Sequence, residues 1–366
     1  MVDTIKLLVA INNPLELDGS RFVPTIDELV QSLNYGKATL NPSKSYAKAD
    51  KYMPRLTMHK RPSKAGVMYQ LAIEFSAPKI VFGNNFNELT DVHYTELLLV
   101  LQEKLCELTG HMFSEKQLAT ANVSVWHPSK NVVFRNYTAC QTVLTTISKL
   151  DVSKVYDLQK TDFRDGHVVH IHCNSLDIAF YDKLADLRKA KLSEKRAFEK
   201  DSVIQISLLE RLQKLSPLEI FRYEVRLVGR ASIKRAFTNL EEWTLESLFK
   251  SKLCQQLLVK HWEKLTASVD MLALDLEQPY ELLQNVAEEN PNATPRTTLA
   301  VVSGLLIAGQ VGIRELRNVL ESCYGKDAWY SIKPLLKKPQ SHRFKYFQHI
   351  SQSLEHFEPT HMGQIV

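Results

Sequence analysis

The sequence contains little that would support a secreted, membrane-embedded or zinc-stabilised protein. Its five cysteines are scattered over 366 residues and form no Cys-x-x-Cys pair, so neither a disulfide framework nor a zinc ribbon is indicated. The longest apolar stretch, residues 299–309, is interrupted by Ser303 and is far shorter than the roughly 18 residues that a membrane span needs. No secretory signal is visible. We therefore expect a reduced, cytoplasmic protein with no membrane partner.

Glycine is also scarce, and this argues against a nucleotide-binding enzyme of the P-loop class. The chain has only 12 glycines and lacks a Gly-x-x-x-x-Gly-Lys-Ser/Thr segment, which excludes a P-loop enzyme. Hydrophobic residues at 44% and charged residues at 24% are ordinary values, which argue against disorder and against a coiled-coil rod. At about 150 residues per domain, the length predicts two domains.

Hydrophobic periodicity predicts an α+β domain over residues 1–235, with a mainly antiparallel sheet and flanking helices. Short runs rich in Val, Ile, Phe and Tyr predict strands at 4–12, 67–76, 121–126, 167–172, 176–181 and 221–227. Helices are predicted at 94–109, 136–148 and 184–200.

The remaining residues, 236–366, are predicted to form a smaller all-helical C-terminal domain. The predicted helices are 240–250, 253–265, 279–287, 298–308 and 313–324. Thr294, which precedes Pro295, is a predicted N-cap. This domain is a candidate for contacts with duplex DNA or with a partner protein.

The charge is unevenly distributed, although the net value of +5 is too small to identify a partner. Residues 37–64 contain eight Lys and Arg side chains against one acid, with tyrosines interleaved. Cations neutralise phosphates and tyrosine rings stack on unpaired bases, so this basic segment suits single-stranded DNA. A solvated basic loop explains it equally well. The predicted DNA contacts in the segment are Lys44, Lys48, Lys51, Arg55, Lys60 and Arg61.

Residues 165–183 contain the first candidates for chemistry. Two strand-like runs meet at a short polar turn, which predicts a hairpin. Residues two apart on a strand share a face, so His170 and His172 can reach one divalent ion. Tyr181 and Lys183 share a face if the strand continues through Lys183, and a lysine cation favours the phenolate of a neighbouring phenol. The structural alternatives are a chance His-x-His pair and an amphipathic exit into the next helix.

Residues 221–227 alternate between polar and apolar side chains. Arg222, Glu224 and Arg226 share one face, and the opposite face consists of Phe221, Tyr223, Val225 and Leu227. A carboxylate between two arginines is a candidate metal ligand on a surface that also binds phosphates, so Arg222 and Arg226 are predicted DNA contacts. An ion-pair ladder on a half-buried strand is the alternative.

Together these segments resemble the phage and plasmid replication-initiation proteins typified by the gene-two endonucleases of filamentous phages. The resemblance covers most of residues 1–235. It rests on Met1-Val2-Asp3-Thr4-Ile5, on residues 74–79 followed by Phe82-Gly83-Asn84-Asn85, on Phe180-Tyr181-Asp182-Lys183 and on residues 222–227. The Tyr-x-Lys and Arg-aromatic-Glu-x-Arg elements, in that order, form the most specific combination.

What the resemblance implies is a metal-dependent, strand-specific DNA nick that starts rolling-circle replication through a covalent 5′-phosphotyrosine. By position, the nucleophile is Tyr181, its helper is Lys183, and Glu224 belongs to the metal site with His170 and His172. The implied cofactor is Mg²⁺ or Mn²⁺, and the implied partners are single-stranded or melted origin DNA and the helicase and polymerase of a bacterial host. In the wider class with a His-hydrophobe-His motif the tyrosine usually lies on a helix well downstream, whereas here it lies in the next predicted strand.

Two other functions remain open. A non-catalytic origin-binding or copy-control protein would use the same basic segments and would need neither Tyr181 nor a metal. A metal-dependent hydrolase of small molecules would use His170 and His172, but it would need a third ligand and a glycine-rich loop that the sequence does not show. A denaturation-resistant protein–DNA adduct would separate the nicking enzyme from the passive binder.

Overall fold

The chain is described here from a computed structural model, which covers residues 1–41, 51–64, 66–135, 138–152, 160–164, 166–173, 176–186, 218–267, 269, 279–336 and 345–364. Nine strands in these ranges form one antiparallel sheet in the order β2-β3-β4-β1-β5-β9-β8-β7-β6. The predicted α+β class is confirmed. The strands are β1 Val2–Ile11, β2 Gly36–Leu40, β3 Arg55–Ser63, β4 Gly66–Ser76, β5 Asn122–Phe134, β6 Lys160–Arg164, β7 Val168–Cys173, β8 Leu176–Asp182 and β9 Glu219–Val228.

Helices surround the sheet and dominate the chain after β9. Two predicted helices, Tyr94–Thr109 and Ile313–Tyr324, have the predicted bounds. None of the described helices is long and apolar enough to cross a membrane. The helices are α1 Ile26–Gln31, α2 Ala77–Phe82, α3 Tyr94–Thr109, α4 Glu115–Ala119, α5 Cys140–Ser148, α6 Arg230–Ala236, α7 Leu245–Leu248, α8 Ser251–Thr266, α9 Pro279–Glu289, α10 Pro295–Val311, α11 Ile313–Tyr324, α12 Ala328–Ile332 and α13 Lys345–His356.

Local chemistry explains where several of these elements begin and end. The Thr294 side chain accepts a hydrogen bond from the Thr297 amide, which confirms the predicted N-cap of α10. The predicted helix at 240–250 is wrong, because only Leu245–Leu248 is helical there. The predicted helix at 184–200 lies mostly outside the described residues.

One face of the sheet is apolar and carries the core. Phe180 of β8 stacks on Tyr223 of β9, with ring centroids 4.7 Å apart, and Trp262 of α8 packs against both rings. The Tyr223 hydroxyl donates a hydrogen bond to the Leu258 carbonyl, also in α8. All nine described strands precede the boundary predicted at residue 235 and helices follow it, but residues on both sides belong to one hydrophobic cluster.

The opposite face of the sheet is polar, and strand register aligns its side chains across the strands. Lys6 of β1 is paired with Glu74 of β4, and Asp177 of β8 is paired with Arg226 of β9. Because paired residues on neighbouring strands point to the same side, this polar sheet face runs continuously from β4 to β7. Its half-buried members include Thr4, Lys6, Glu74, His127, Arg226, Asp177, His170 and His172.

The sequence analysis missed β2, β3 and β6 and shortened β5, and the reasons are identifiable for β3 and β5. Part of the basic segment forms β3, where Leu56 and Met58 point into the core and the charged neighbours hide the alternation. β5 continues past the predicted end at residue 126 because Pro128 lies at a register shift opposite Val2, where no ladder hydrogen bond from its nitrogen is required.

Candidate functional site

The antiparallel pairing of β7, β8 and β9 brings the predicted site residues onto the polar sheet face. Tyr181 lies opposite Arg222, and Asp177 lies opposite Arg226. On the other side of β8, His172 lies opposite Asp177. Cys173 pairs with Leu176, so the predicted hairpin between the two strands is present. The hairpin of β7 and β8 and the more distant strand β9 therefore form one site.

At the buried end of the site, Tyr181 donates a hydrogen bond to Glu224. The distance from the phenol oxygen to Glu224 Oε1 is 2.6 Å, and the Tyr181 side chain is 9% exposed. Burial, together with the negative charge of Glu224, raises the pKa of Tyr181 well above its ordinary value. The resting side chain is therefore a neutral phenol with its proton directed at a carboxylate.

Glu224 is also held by two arginines. Arg222 Nε donates to Oε1 at 2.7 Å, and Arg226 donates to Oε2 from Nε at 2.9 Å and from Nη2 at 2.7 Å. Burial alone would raise the pKa of Glu224, but Arg226 and Arg222 hold it well below the ordinary value. With both oxygens occupied, Glu224 is better placed to receive the phenol hydrogen bond than to serve as the predicted metal ligand.

Arg222 was a predicted DNA contact, but its guanidinium is 1% exposed and fully used inside the protein. An arginine has five N–H groups, and each of these five makes a hydrogen bond. The acceptors are Glu224 Oε1, the Asn85 carbonyl, Asn131 Oδ1, Asp3 Oδ2 and Ser129 Oγ, at 2.6–3.1 Å. This placement does not fit a contact with phosphate; Arg222 instead fixes the position of Glu224.

Arg226 differs from Arg222 in exposure and in unused donors. Its side chain is 26% exposed, and besides Glu224 it contacts Asp177 Oδ2 through Nη1 at 3.0 Å. These contacts use three of the five N–H groups within the described part of the chain. Of the two predicted arginines, Arg226 is the one that can still meet a phosphate.

At the exposed end of the site, His170 and His172 converge on Asp177. Their rings stack with centroids 5.2 Å apart, and their Nδ1 atoms lie 3.3 Å and 3.2 Å from Asp177 Oδ1. Burial opposes ionisation of Asp177, but the histidines and Arg226 lower its pKa. Two imidazoles and a carboxylate form a donor set that suits a divalent transition-metal ion, so these residues fit Mn²⁺ better than Mg²⁺, which prefers oxygen ligands.

Asp177 is the site residue that the sequence analysis missed. The pairing of Cys173 with Leu176 places Asp177 directly opposite His172, so counting along both strands from the turn predicted between them could have found it. It is also the third donor that the alternative of a metal-dependent hydrolase requires.

No protein-family model, curated protein or solved structure matches this chain.

Lys183 lies near Tyr181, but it is not on the same strand as was predicted. β8 ends at Asp182, whose carboxylate accepts hydrogen bonds from the Leu184 and Ala185 amides, so the strand does not continue through Lys183. The Lys183 ammonium nevertheless lies 5.8 Å from the centroid of the Tyr181 ring and 5.7 Å from that of Phe86. Burial, aided by the charge of Arg222, lowers the pKa of Lys183 to about 8.

The basic segment is only partly available to nucleic acid. Lys60 is buried, and its ammonium donates to the Val30 carbonyl at 2.9 Å and to the carbonyls of Leu29 and Ser32, at the end of α1. Lys51 forms a salt bridge with Glu107 at 2.5 Å. Arg55 and Arg61 on β3 are exposed, as is the paired Lys51, while the predicted contacts Lys44 and Lys48 lie outside the described residues.

Proposed function

We propose that the protein initiates rolling-circle DNA replication by nicking one strand, with Tyr181 as the nucleophile. The observation that carries this proposal is the 2.6 Å hydrogen bond from the Tyr181 phenol to Glu224, on the same sheet face as the group His170, His172 and Asp177. A nucleophilic hydroxyl needs a proton acceptor already within hydrogen-bond distance, and the phenol has one. The resemblance to the gene-two endonucleases independently assigns the same tyrosine.

The reaction joins Tyr181 to DNA and conserves the phosphodiester. The phenol oxygen attacks phosphorus, the bond to the 3′ oxygen breaks, and the products are a 5′-phosphotyrosine and a 3′ hydroxyl. Because the pKa of Glu224 is well below that of the phenol, proton transfer to Glu224 is uphill and has to accompany formation of the new P–O bond. Lys183, buried against the phenol ring, stabilises the negative charge that develops there.

The other half of the site serves the scissile phosphate. A divalent transition-metal ion such as Mn²⁺, held by His170, His172 and Asp177, would supply charge that polarises the phosphate. Arg226, at the border of this half of the site, has unused N–H donors for a phosphate of the bound strand. The released 3′ hydroxyl is a primer, so a polymerase and a helicase of the host are the partners that this reaction implies.

A search for the covalent adduct tests this proposal. The protein is incubated with a random-sequence pool of single-stranded oligonucleotides and Mn²⁺, and the products are separated under denaturing conditions. The parent protein and Tyr223→Phe should form an adduct, whereas Tyr181→Phe should form none. Tyr223 is the matched control because it is a buried tyrosine that points to the apolar face. An adduct with Tyr181→Phe would overturn the assignment.

A non-catalytic origin-binding or copy-control protein is the second candidate. The observation that favours it is the burial of Tyr181, whose phenol is strongly disposed to remain protonated. Such a protein would bind single-stranded DNA with the same exposed cations, and it would yield no adduct with any of the three proteins in the experiment above.

A further inference from the structure

His127 lies beside Arg226 on the polar sheet face, although no sequence pattern drew attention to it. In the ladder between β5 and β9, Trp126 lies opposite Leu227 and Ser129 lies opposite Glu224. Counting inward from both pairs places His127 opposite Arg226, and such cross-strand neighbours have Cβ atoms about 5 Å apart. Trp126 points into the core, so His127 points to the polar sheet face.

The imidazole of His127 has an unsatisfied polar atom. Its Nε2 is buried and has no hydrogen-bond partner among the residues that the structure describes. Buried polar atoms are nearly always paired in folded proteins, so this unpaired nitrogen needs an explanation. Burial lowers the pKa of His127, which keeps the ring neutral near pH 7 with one N–H donor.

Arg226 provides a positive charge beside the neutral imidazole of His127. Two of its five N–H groups are unused within the described residues, and its side chain is partly open to solvent. Arg222, two residues away on the same strand, has no unused donor. The neutral imidazole of His127 and the guanidinium of Arg226, which has two unused N–H donors, are therefore neighbours on the polar sheet face.

The surrounding charges select the kind of anion that fits. Arg226 is already shared by Glu224 and Asp177, so the local positive charge is small. A dianion would be repelled by the two carboxylates, whereas a singly charged phosphodiester accepts both hydrogen bonds at less cost. The polar sheet face also continues to β3, where the exposed Arg55 lies opposite Glu74 of β4. A polar surface that crosses so many strands is long enough to contact several successive phosphodiesters.

We propose that His127 and Arg226 together bind a phosphodiester of single-stranded DNA adjacent to the one that Tyr181 attacks. The identity of the ligand rests on the proposed function, while the pairing of the two side chains does not. His127 positions the strand by a hydrogen bond to a non-bridging oxygen, and Arg226 provides the counter-charge.

The test measures binding separately from cleavage. In a Tyr181→Phe background, the affinity for a fluorescent single-stranded oligonucleotide is measured by anisotropy at several salt concentrations. His127→Leu should weaken binding about tenfold, because a hydrogen bond to a charged group is lost, and should leave the salt dependence unchanged. Arg226→Gln should weaken binding and reduce the slope of log K against log salt by about 0.7. His111→Leu, a histidine that packs edge-on against Phe113, is the control.

Two further measurements make the outcome decisive if His127→Leu does not fold. His127→Gln, which keeps a donor, should bind within about threefold of its parent. In the unaltered protein, the oligonucleotide should shift the NMR resonances of the His127 ring. An unchanged affinity for His127→Leu, or an unshifted ring resonance, would overturn this inference. If the parent protein forms no covalent adduct but His127→Leu still weakens oligonucleotide binding about tenfold, the nicking reaction is overturned and the phosphodiester site is not.

Discussion

The phenol oxygen of Tyr181 lies 2.6 Å from Glu224 Oε1, although the two residues are 43 positions apart in the chain. Behind this contact, carboxylates and guanidiniums alternate across the polar sheet face, from Asp3 through Arg222, Glu224 and Arg226 to Asp177. The series connects the buried phenol to the exposed histidines. Each member has at least two charged or polar contacts, so the position of the phenol depends on residues that never touch it.

Asp3 is predicted to act as a positioning residue through Arg222. Its Oδ2 lies 2.6 Å from Arg222 Nη2, and both side chains are buried. Asp3→Asn should cost about 3 kcal/mol of unfolding free energy, because it leaves a buried guanidinium undercompensated. It should also reduce adduct formation at least tenfold under conditions where the protein remains folded.

The matched control for Asp3 is Asp151, whose two carboxylate oxygens accept from Arg317 Nη1 at 2.7 Å and 2.6 Å. Asp151→Asn should lower stability by a similar amount, measured by urea unfolding, and leave adduct formation intact. Equal loss of the adduct in both variants would show that Asp3 acts only through general stability.

The buried ammonium of Lys183 should make stability depend on pH. Its pKa of about 8 lies below the ordinary 10.5, so between these values the unfolded chain binds more protons than the folded chain. Stability should therefore rise as pH increases from about 8 toward 10.5, and the full penalty, about 3 kcal/mol, should apply below pH 8.

Lys183→Met tests this prediction by removing the charge and keeping the apolar stem. At pH 7 the variant should be more stable than the parent by up to about 3 kcal/mol, and the difference should shrink above pH 8. The same variant should lose nicking activity. Urea unfolding at pH 7 and pH 9.5 gives the comparison, and a variant that is less stable at pH 7 would contradict the placement of Lys183.

The two ends of the site should respond differently to metal. His170→Ala and Asp177→Asn should each weaken Mn²⁺ binding by at least tenfold, measured by titration calorimetry. Glu224→Gln should leave Mn²⁺ affinity close to that of the parent, because both Glu224 oxygens are held by arginine and tyrosine. Loss of Mn²⁺ binding in Glu224→Gln would restore Glu224 as a ligand.

Lys60 and Arg61 are neighbours in sequence with opposite predicted effects. Lys60→Met should reduce unfolding free energy by about 1–3 kcal/mol, because three carbonyls at the end of α1 lose their donor. It should not change the affinity for single-stranded DNA. Arg61→Gln should leave stability unchanged and lower the salt dependence of binding by about 0.7. Anisotropy and urea unfolding on both variants decide the assignment.

Much of the sheet could be predicted because apolar alternation is strong in its central strands. In β9, the polar and apolar side chains separate onto two faces as the sequence indicates, with Tyr223 in the core. The predicted hairpin of β7 and β8 is present for the same reason. In contrast, the exposed positions of β3 are Arg55, Arg61, Pro62 and Ser63, and these charged and turn-forming residues suit a basic loop as well as a strand.

Most residues of the site were predicted from the sequence, but Asp177, His127 and the hydrogen-bond partners of the site residues were not. Periodicity places Glu224 between two arginines on one face, but it cannot show that Arg222 is saturated by residues as distant as Asp3 and Asn85. Likewise, periodicity cannot reveal His127, because its neighbour in space is Arg226 on a strand about a hundred positions later. Such contacts depend on strand order, which a single sequence does not contain.

The central claim is that Tyr181 becomes covalently linked to DNA, and peptide mapping of the adduct tests it most directly. After reaction with single-stranded oligonucleotide and Mn²⁺, the complex is digested with nuclease and protease and analysed by mass spectrometry. We predict a nucleotide mass on the peptide containing Tyr181, with fragmentation locating it on the phenol. A nucleotide on another residue, or DNA cleaved without any modified peptide, would contradict the proposal.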